Sequence, residues 1–220
     1  MSKEEFWKVS GLLLLADNHS PEAKTNKLHK IQSFHTMLES SWRRYYAVGR
    51  DLTIDEAIIS YSGRLSFLQF VKGKPTRWGI KAFLLASSDT GYVYKMKVYA
   101  GKEQEKSNIK QLVETMVDDL EANSHILYTD NYYTSIELLR SLRRKGIRST
   151  GTIRKSRIRD PEIVNNFSKE AKGTIKFFTN TPDCDLNLLL WRDKRDVYFL
   201  SNHRDCAIGG LKSRERSPKP

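Results

Sequence analysis

Apolar residues recur along this chain at two periods, and the change from one to the other marks its architecture. Between residues 3 and 16, Phe6, Val9, Leu13 and Ala16 fall at helical spacing. Between 24 and 46, Leu28, Ile31, Leu38, Trp42 and Tyr45 repeat at spacings of three, seven, four and three. Both stripes predict amphipathic helices packed on a core, with Asp17-Asn18-His19-Ser20-Pro21 as the loop between them. From residue 52 the period shortens. Segments 52–61, 79–88 and 91–99 read as strands, and Asp89-Thr90-Gly91 suits a tight hairpin between the last two. Residues 108–122 then hold Ile109, Leu112, Val113, Met116, Val117 and Leu120 on one helical face. A strand over 125–129 ends at Asp130. Thr134-Ser135-Ile136-Glu137 predicts a capping box with Thr134 as the cap. The helix it opens runs to about Lys145, with Gly146 suited to its C′ position. A strand over 147–154 follows, then an irregular stretch, then strands at 173–179, 185–191 and 196–201.

The order β-β-β-α-β-α-β predicts an α/β fold. Three strands can form a meander and the later ones can add in parallel by crossovers. That is the order of a ribonuclease H-like mixed sheet flanked by helices. The expected divisions are a helical segment at 1–50, the core at 51–160, a β-rich insertion at 161–205 and a disordered basic tail at 206–220.

Charge narrows the partners. The chain of 220 residues carries 38 Lys or Arg against 26 Asp or Glu, a net +12, which favours an anionic partner. Residues 140–159 contain nine Lys or Arg and no acid, three-quarters of that excess. The run crosses a helix end, a turn and a strand, which favours phosphate binding over a merely solvated face. No apolar run approaches the ~18 residues needed to span a bilayer, and the acidic start Met1-Ser2-Lys3-Glu4-Glu5 does not suit a signal peptide. Cys184 and Cys206 lack a zinc-site spacing, and the five histidines form no metal motif.

Two aspartates stand out. Asp55 lies inside the β-type run Leu52-Thr53-Ile54-Asp55-Glu56-Ala57-Ile58-Ile59, and Asp130 ends Ile126-Leu127-Tyr128-Thr129-Asp130. A carboxylate on a buried strand costs several kcal/mol unless something positive pairs with it. Two on neighbouring strands repel unless a divalent cation joins them. The plainer alternatives are a strand-edge residue at 55 and a turn former at 130. Glu56, next along the strand, points to the opposite face.

Several motifs, in order, carry a resemblance. They are Thr53-Ile54-Asp55-Glu56, Gly63-Arg64, Lys74-Pro75, Trp78-Gly79-Ile80-Lys81 and Thr90-Gly91-Tyr92. They continue with Tyr128-Thr129-Asp130-Asn131-Tyr132-Tyr133-Thr134-Ser135, Lys145-Gly146-Ile147, Thr150-Gly151-Thr152-Ile153-Arg154 and Trp191-Arg192-Asp193-Lys194-Arg195-Asp196-Val197-Tyr198. Together they resemble the transposase domain of the piggyBac family over nearly the whole chain. The resemblance implies a ribonuclease H-like catalytic core with three metal-binding aspartates and cut-and-paste DNA transposition. Asp55 matches the first aspartate and Asp130 the second, as ligands of Mg2+ or Mn2+, two ions roughly 4 Å apart. The third belongs to a Gly-Gly-Val-Asp motif, whereas here Gly209-Gly210 is followed by Leu211-Lys212. Two of three ligands make a poor two-metal site, and the context of Asp196, Asp205 and Glu215 supports none of them as a substitute. The expectation is therefore a transposase core that is degenerate or inactive as this chain. The alternative is a domesticated, non-catalytic module that binds DNA or another protein. Phosphate contacts are expected from Lys72, Lys74, Arg77, Lys81, Arg154, Lys155, Arg157 and Arg159. Tyr132, Tyr133 and Trp78 read either as core or as stacking platforms for a base. The resemblance further implies work in the nucleus, on transposon ends or non-specific DNA, compatible with a homodimer and with no membrane.

Overall fold

Alternation within the first long strand sets the plane of the molecule. In β1 (Asp51–Ser60), Leu52 and Ile54 are 0% and 1% exposed, while Asp55 faces solvent. The computed structural model describes residues 1–72, 77–101, 109–158, 160–179 and 185–203. Within them β1 is followed by β2 (Gln69–Phe70), β3 (Trp78–Ser87), β4 (Val93–Val98), β5 (Ile126–Thr129) and β6 (Arg148–Thr152). Then come β7 (Ile175–Thr179), β8 (Asn187–Arg192) and β9 (Asp196–Ser201). The described strands form one sheet in the order β2-β3-β1-β5-β6-β9-β8-β7, with β4 also on β3.

The expected meander and crossovers are both present. β3 runs antiparallel to β1 and to β4, and β5 and β6 add in parallel. The hairpin between β3 and β4 turns where Gly91 takes φ +71° and its N–H bonds Ser87 O at 2.9 Å. The strands of segment 161–205 continue the same sheet, because β9 pairs antiparallel with β6, Gly151 opposite Leu200. β2 escaped the periodicity because two residues cannot display a period.

The helices differ more from expectation. α1 (Lys3–Leu12) starts at a capping box made by Ser2 and Glu5 and stops four residues short of the predicted end. α2 (His29–Tyr45) starts five residues after the predicted start and ends one before the predicted end. Neither buries a residue, so their apolar stripes are not core. Ile31 and Tyr45 are exposed, and Leu38 and Trp42 are only half-buried. Polar contacts hold α2 instead. It meets the sheet at β4, where Glu39 accepts the Met96 N–H at 2.9 Å, and its Arg43 pairs with Asp119 at 3.0 Å.

α3 (Ile109–Met116) ends well before residue 122. Asp118 and Asp119, unfavourable at a helix C-terminus, instead hold Lys95 Nζ at 2.7 and 3.2 Å. α4 (Ile136–Arg144) closes with Gly146 at φ +74°. The Gly146 N–H bonds Arg143 O and the Ile147 N–H bonds Leu142 O, both at 2.9 Å, which is the Schellman arrangement expected at C′. α5 (Pro161–Phe167) lies in the stretch read as irregular. Its signal was Asp160 ahead of Pro161. The carboxylate caps the helix by accepting from the Glu162 and Ile163 N–H groups.

Two apolar clusters fill the fold. One joins Leu52, Ile54, Phe83 and Leu85 of the sheet to Val113, Met116, Leu138 and Leu142. The other joins Leu139 of α4 and Val164 and Phe167 of α5 to Leu190, Tyr198 and Leu200. α4 therefore contributes to both. Among the described residues no helix is long and apolar enough to cross a membrane.

Gly146 generates a stability test. A Cβ there would sit 2.9 Å from Ala122 Cβ, on a backbone at positive φ. Gly146→Ala is expected to destabilise the fold by about 1–3 kcal/mol, read as a lower urea midpoint. An unchanged midpoint would contradict the tight α4 cap.

Candidate metal centre

Strand register brings the two aspartates together. In the parallel β1–β5 pair, Ile54 stands beside Thr129, and one residue further along each chain are Asp55 and Asp130. Neighbouring strands lie about 4.8 Å apart, so the two carboxylates are neighbours where β5 ends alongside the middle of β1. Both residues are exposed. That corrects the expectation of a buried carboxylate on β1: water solvates both groups and moderates their repulsion.

Local hydrogen bonds orient them. Asp55 Oδ1 accepts the Glu56 N–H at 2.8 Å, and Asp130 Oδ1 accepts the Tyr132 N–H at 2.8 Å. Each Oδ2 has no protein partner among the described residues, so each aspartate can offer at least one oxygen to a cation. The donor set is hard oxygen, which suits Mg2+ or Mn2+. The fit is that of a pair. Among the described residues, no group of three His, Cys, Asp or Glu is placed to hold a metal. Asp196 is committed elsewhere, paired with Arg192 and accepting from Ser168 Oγ at 2.8 Å. Asp205 and Glu215 lie outside the described residues.

Glu56 lies across β1 from Asp55, opposite Phe83, and accepts the Tyr133 hydroxyl at 3.3 Å. Tyr133 is 1% exposed and belongs to the core. Burial pushes its phenol pKa up, and the charges of Glu56, Asp55 and Asp130 push it further. Of the other two aromatic candidates, Trp78 is exposed against Phe70, and half-buried Tyr132 lies beneath Lys81 Nζ, 5.1 Å from its ring centroid.

The turn after Asp130 is fixed from inside. Thr134, fully buried, donates its hydroxyl to Asp130 O at 2.7 Å and lies 2.8 Å from Thr129 Oγ1. It is therefore not the cap of α4. Ser135 caps that helix by accepting the Leu138 N–H at 3.1 Å, and Glu137 falls at the second helical position, so no capping box forms. Gly151 of β6 presses on the same turn. A Cβ there would come within 2.5 Å of Thr134 Oγ1, Thr129 O and Thr129 Oγ1. A lone glycine inside a strand pattern is the sequence signal for such an approach.

The basic candidates divide by what they touch. Lys72 and Arg77 are exposed near the start of β3, and Lys81 packs on Phe83 and Tyr132. Arg154 and Lys155 are exposed after β6, with Arg154 Nε 3.2 Å from Asn131 Oδ1 and Lys155 Nζ 3.3 Å from Asn165 Oδ1. Arg157 instead donates to three backbone carbonyls. Lys74 and Arg159 lie outside the described residues. The run at 140–159 is thus partly used inside the fold. Arg140 holds Asp185, Arg143 bonds Asp185 O and Asn202 O, and Arg148 bonds Asn123 O.

Comparison with known proteins gives three kinds of likeness. A family model described as Transposase IS4 matches residues 1–219. Human PiggyBac transposable element-derived protein 3 is 26% identical over 188 residues, 80% of this chain and 31% of that protein. Human PiggyBac transposable element-derived protein 2 is 22% identical over 213 residues, 91% of this chain and 35% of that protein. The chain thus spans about a third of the length of these relatives. A cryo-EM structure of the piggyBac transposase synaptic complex with hairpin DNA superposes with a TM-score of 0.85 at 23% identity. The match covers 96% of this chain and 45% of that one, and it establishes the fold.

Two measurements test the site's scaffold. Gly151→Ala is expected to cost about 1–3 kcal/mol by overpacking and to shift the Thr129 and Thr134 NMR signals. Unshifted signals would contradict the close approach. Tyr133 holds its proton more tightly folded than unfolded. Its contribution to stability is therefore intact below the ordinary tyrosine pKa of 10.0 and is lost as pH rises above it. The wild type should lose stability above that pH more steeply than Tyr133→Phe, and parallel curves would count against this.

Proposed function

The chain belongs to the Transposase IS4 family, as a piggyBac-type transposase domain, and from that premise we propose that Asp55 and Asp130 are ligands of a divalent cation at an ancestral site of DNA strand cleavage and transfer. What carries this reading is the register that sets Asp130, just past the end of β5, beside Asp55 in the middle of β1. A bound Mg2+ or Mn2+ would supply an activated water or hydroxyl and steady charge on phosphate oxygens.

The chain's own residues do the rest. Asp55 and Asp130 present hard oxygens to solvent beside the end of β5, where a DNA backbone can approach. Thr134 and Gly151 keep Asp130 from swinging away. Lys72, Arg77, Lys81, Arg154 and Lys155 offer cations to phosphates, with Lys74 and Arg159 in the same two segments. Arg157, named with them from the sequence, commits its Nη1 to three backbone carbonyls. Contacts of this kind bind DNA with strong salt dependence and little sequence choice. The same reading has the protein acting on DNA in the nucleus and is compatible with a homodimer.

The pair is two-thirds of the family's site. These 220 residues contain no Gly-Gly-Val-Asp, and the alternative reading for them taken alone is a domesticated, non-catalytic module that binds DNA or another protein.

Cleavage of a terminal-repeat DNA in Mg2+ or Mn2+ separates the readings. The chain alone is expected to bind the DNA and leave it uncut. Mg2+-dependent cleavage that disappears in Asp55→Ala and Asp130→Ala would make it a working nuclease and overturn the incomplete-site reading. Cleavage surviving both changes would remove the aspartates from the chemistry. In the binding arm, Lys81→Ala and Arg154→Ala should each lower the slope of log K against log salt by about one. An unchanged slope in both would take them off the phosphates.

A further inference from the structure

Three backbone carbonyls of the turn after Asp130 converge on a single guanidinium. Arg157 Nη1 stands 3.1 Å from Asn131 O, 3.2 Å from Tyr132 O and 2.7 Å from Thr134 O. Turn carbonyls on an exposed strand end would ordinarily be left to water. Here a half-buried arginine collects them.

The place of Arg157 in the chain makes this possible. It closes the short 3-10 turn Lys155–Arg157, its own N–H bonded to Arg154 O at 2.9 Å, five residues after β6. Gly151 of that strand lies against Thr129 and Thr134. One segment, 151–157, therefore holds the Asp130 turn at both ends. One peptide group that fixes the aspartate is held directly: Arg157 takes Asn131 O, and the N–H of that same peptide, Tyr132's, donates to Asp130 Oδ1. The Thr134 N–H, which bonds Asp130 O at 3.1 Å, lies in the next turn peptide but one, between the held carbonyls of Tyr132 and Thr134.

We infer that Arg157 is a positioning residue for Asp130, locking the 131–134 turn so that the carboxylate meets a cation shared with Asp55. This rests on the reading of Asp55 and Asp130 as cation ligands. It differs from phosphate contact, the role the basic run would suggest.

Charge supplies the discriminating sign. A guanidinium near a cation site repels the cation, so simple electrostatics has Mn2+ binding tighten when Arg157 is removed. A positioning role has it weaken, because groups that orient a metal ligand typically contribute about 10- to 100-fold in affinity. Arg154 lies on the same turn with the same charge, but its contact is a side-chain amide, Asn131 Oδ1.

The test uses the whole chain and Mn2+ alone, with free Mn2+ read by electron paramagnetic resonance and backbone amides by hydrogen exchange. Arg157→Ala should weaken Mn2+ binding about tenfold and speed exchange at the Tyr132 and Thr134 amides. Arg154→Ala should tighten binding. Equal or tighter binding in Arg157→Ala overturns the proposal, as does an equal loss in Arg154→Ala. If Asp130→Asn binds Mn2+ as well as the wild type, the cation reading fails, and with it this role for Arg157. Unchanged exchange in Arg157→Ala removes the clamp by itself. Should Arg157→Ala not fold, Arg157→Lys keeps the charge on a shorter side chain whose nitrogen does not reach the Nη1 position. It should also weaken Mn2+ binding, and wild-type affinity with wild-type exchange in it would overturn the inference.

Discussion

The candidate site depends on the parallel pairing of β1 with β5. No side-chain contact draws Asp55 to Asp130. They are neighbours because Ile54 is registered with Thr129 and each chain then advances one residue. A one-residue slip would turn the apolar set Leu52 and Ile54 to solvent and carry Asp55 into the core. Burial of those two side chains, 0% and 1% exposed, therefore fixes the register and, through it, the placement of the carboxylates. The core cluster and the site are two faces of one constraint.

The positive charge of the chain has two uses. Arg140, Arg143, Arg148 and Arg157 turn their donors toward a carboxylate and backbone carbonyls of the same protein. Arginine suits this because its fixed fork of donors can gather several acceptors at once. Lys72, Arg77, Arg154 and Lys155 stay at the surface. A net charge is therefore a poor map of a nucleic-acid face until the arginines that tie loops together are subtracted. Position in sequence does not separate the groups, since Arg154 and Arg157 are three residues apart.

Much of the core was legible because it obeys simple periods. β1, β3 and β5 show their apolar runs, and Gly146 stands where a helix must end. The neighbouring positions of Asp55 and Asp130 follow once the order of strands is accepted. What stayed hidden depends on tertiary partners. The stripes of α1 and α2 have the right spacing yet bury no residue; α2 is held by polar contacts, Glu39 to Met96 and Arg43 over Tyr94 of β4, with Arg43 also paired to Asp119. Thr134 looked like a cap because a hydroxyl before an apolar run is the usual sign. Its hydroxyl instead serves Asp130 and Thr129. A pattern shows which residues could be buried or could cap, and only the assembled sheet decides which of them do.

Exposure of the aspartates changes what a cation can mean here. A buried pair would need its ion to fold, since unpaired carboxylates in a core are strongly destabilising. Asp55 and Asp130 lie in solvent, with local N–H groups already satisfying one oxygen each. The scaffold around the pair is built from Thr129, Thr134, Gly151 and the turn carbonyls held by the charged guanidinium of Arg157. Such a scaffold can persist whether or not the site is complete. The chain superposes on the piggyBac transposase structure at a TM-score of 0.85, over 45% of that chain. Fold likeness alone is silent about cleavage, and the decision rests on the few oxygens where β5 ends beside the middle of β1.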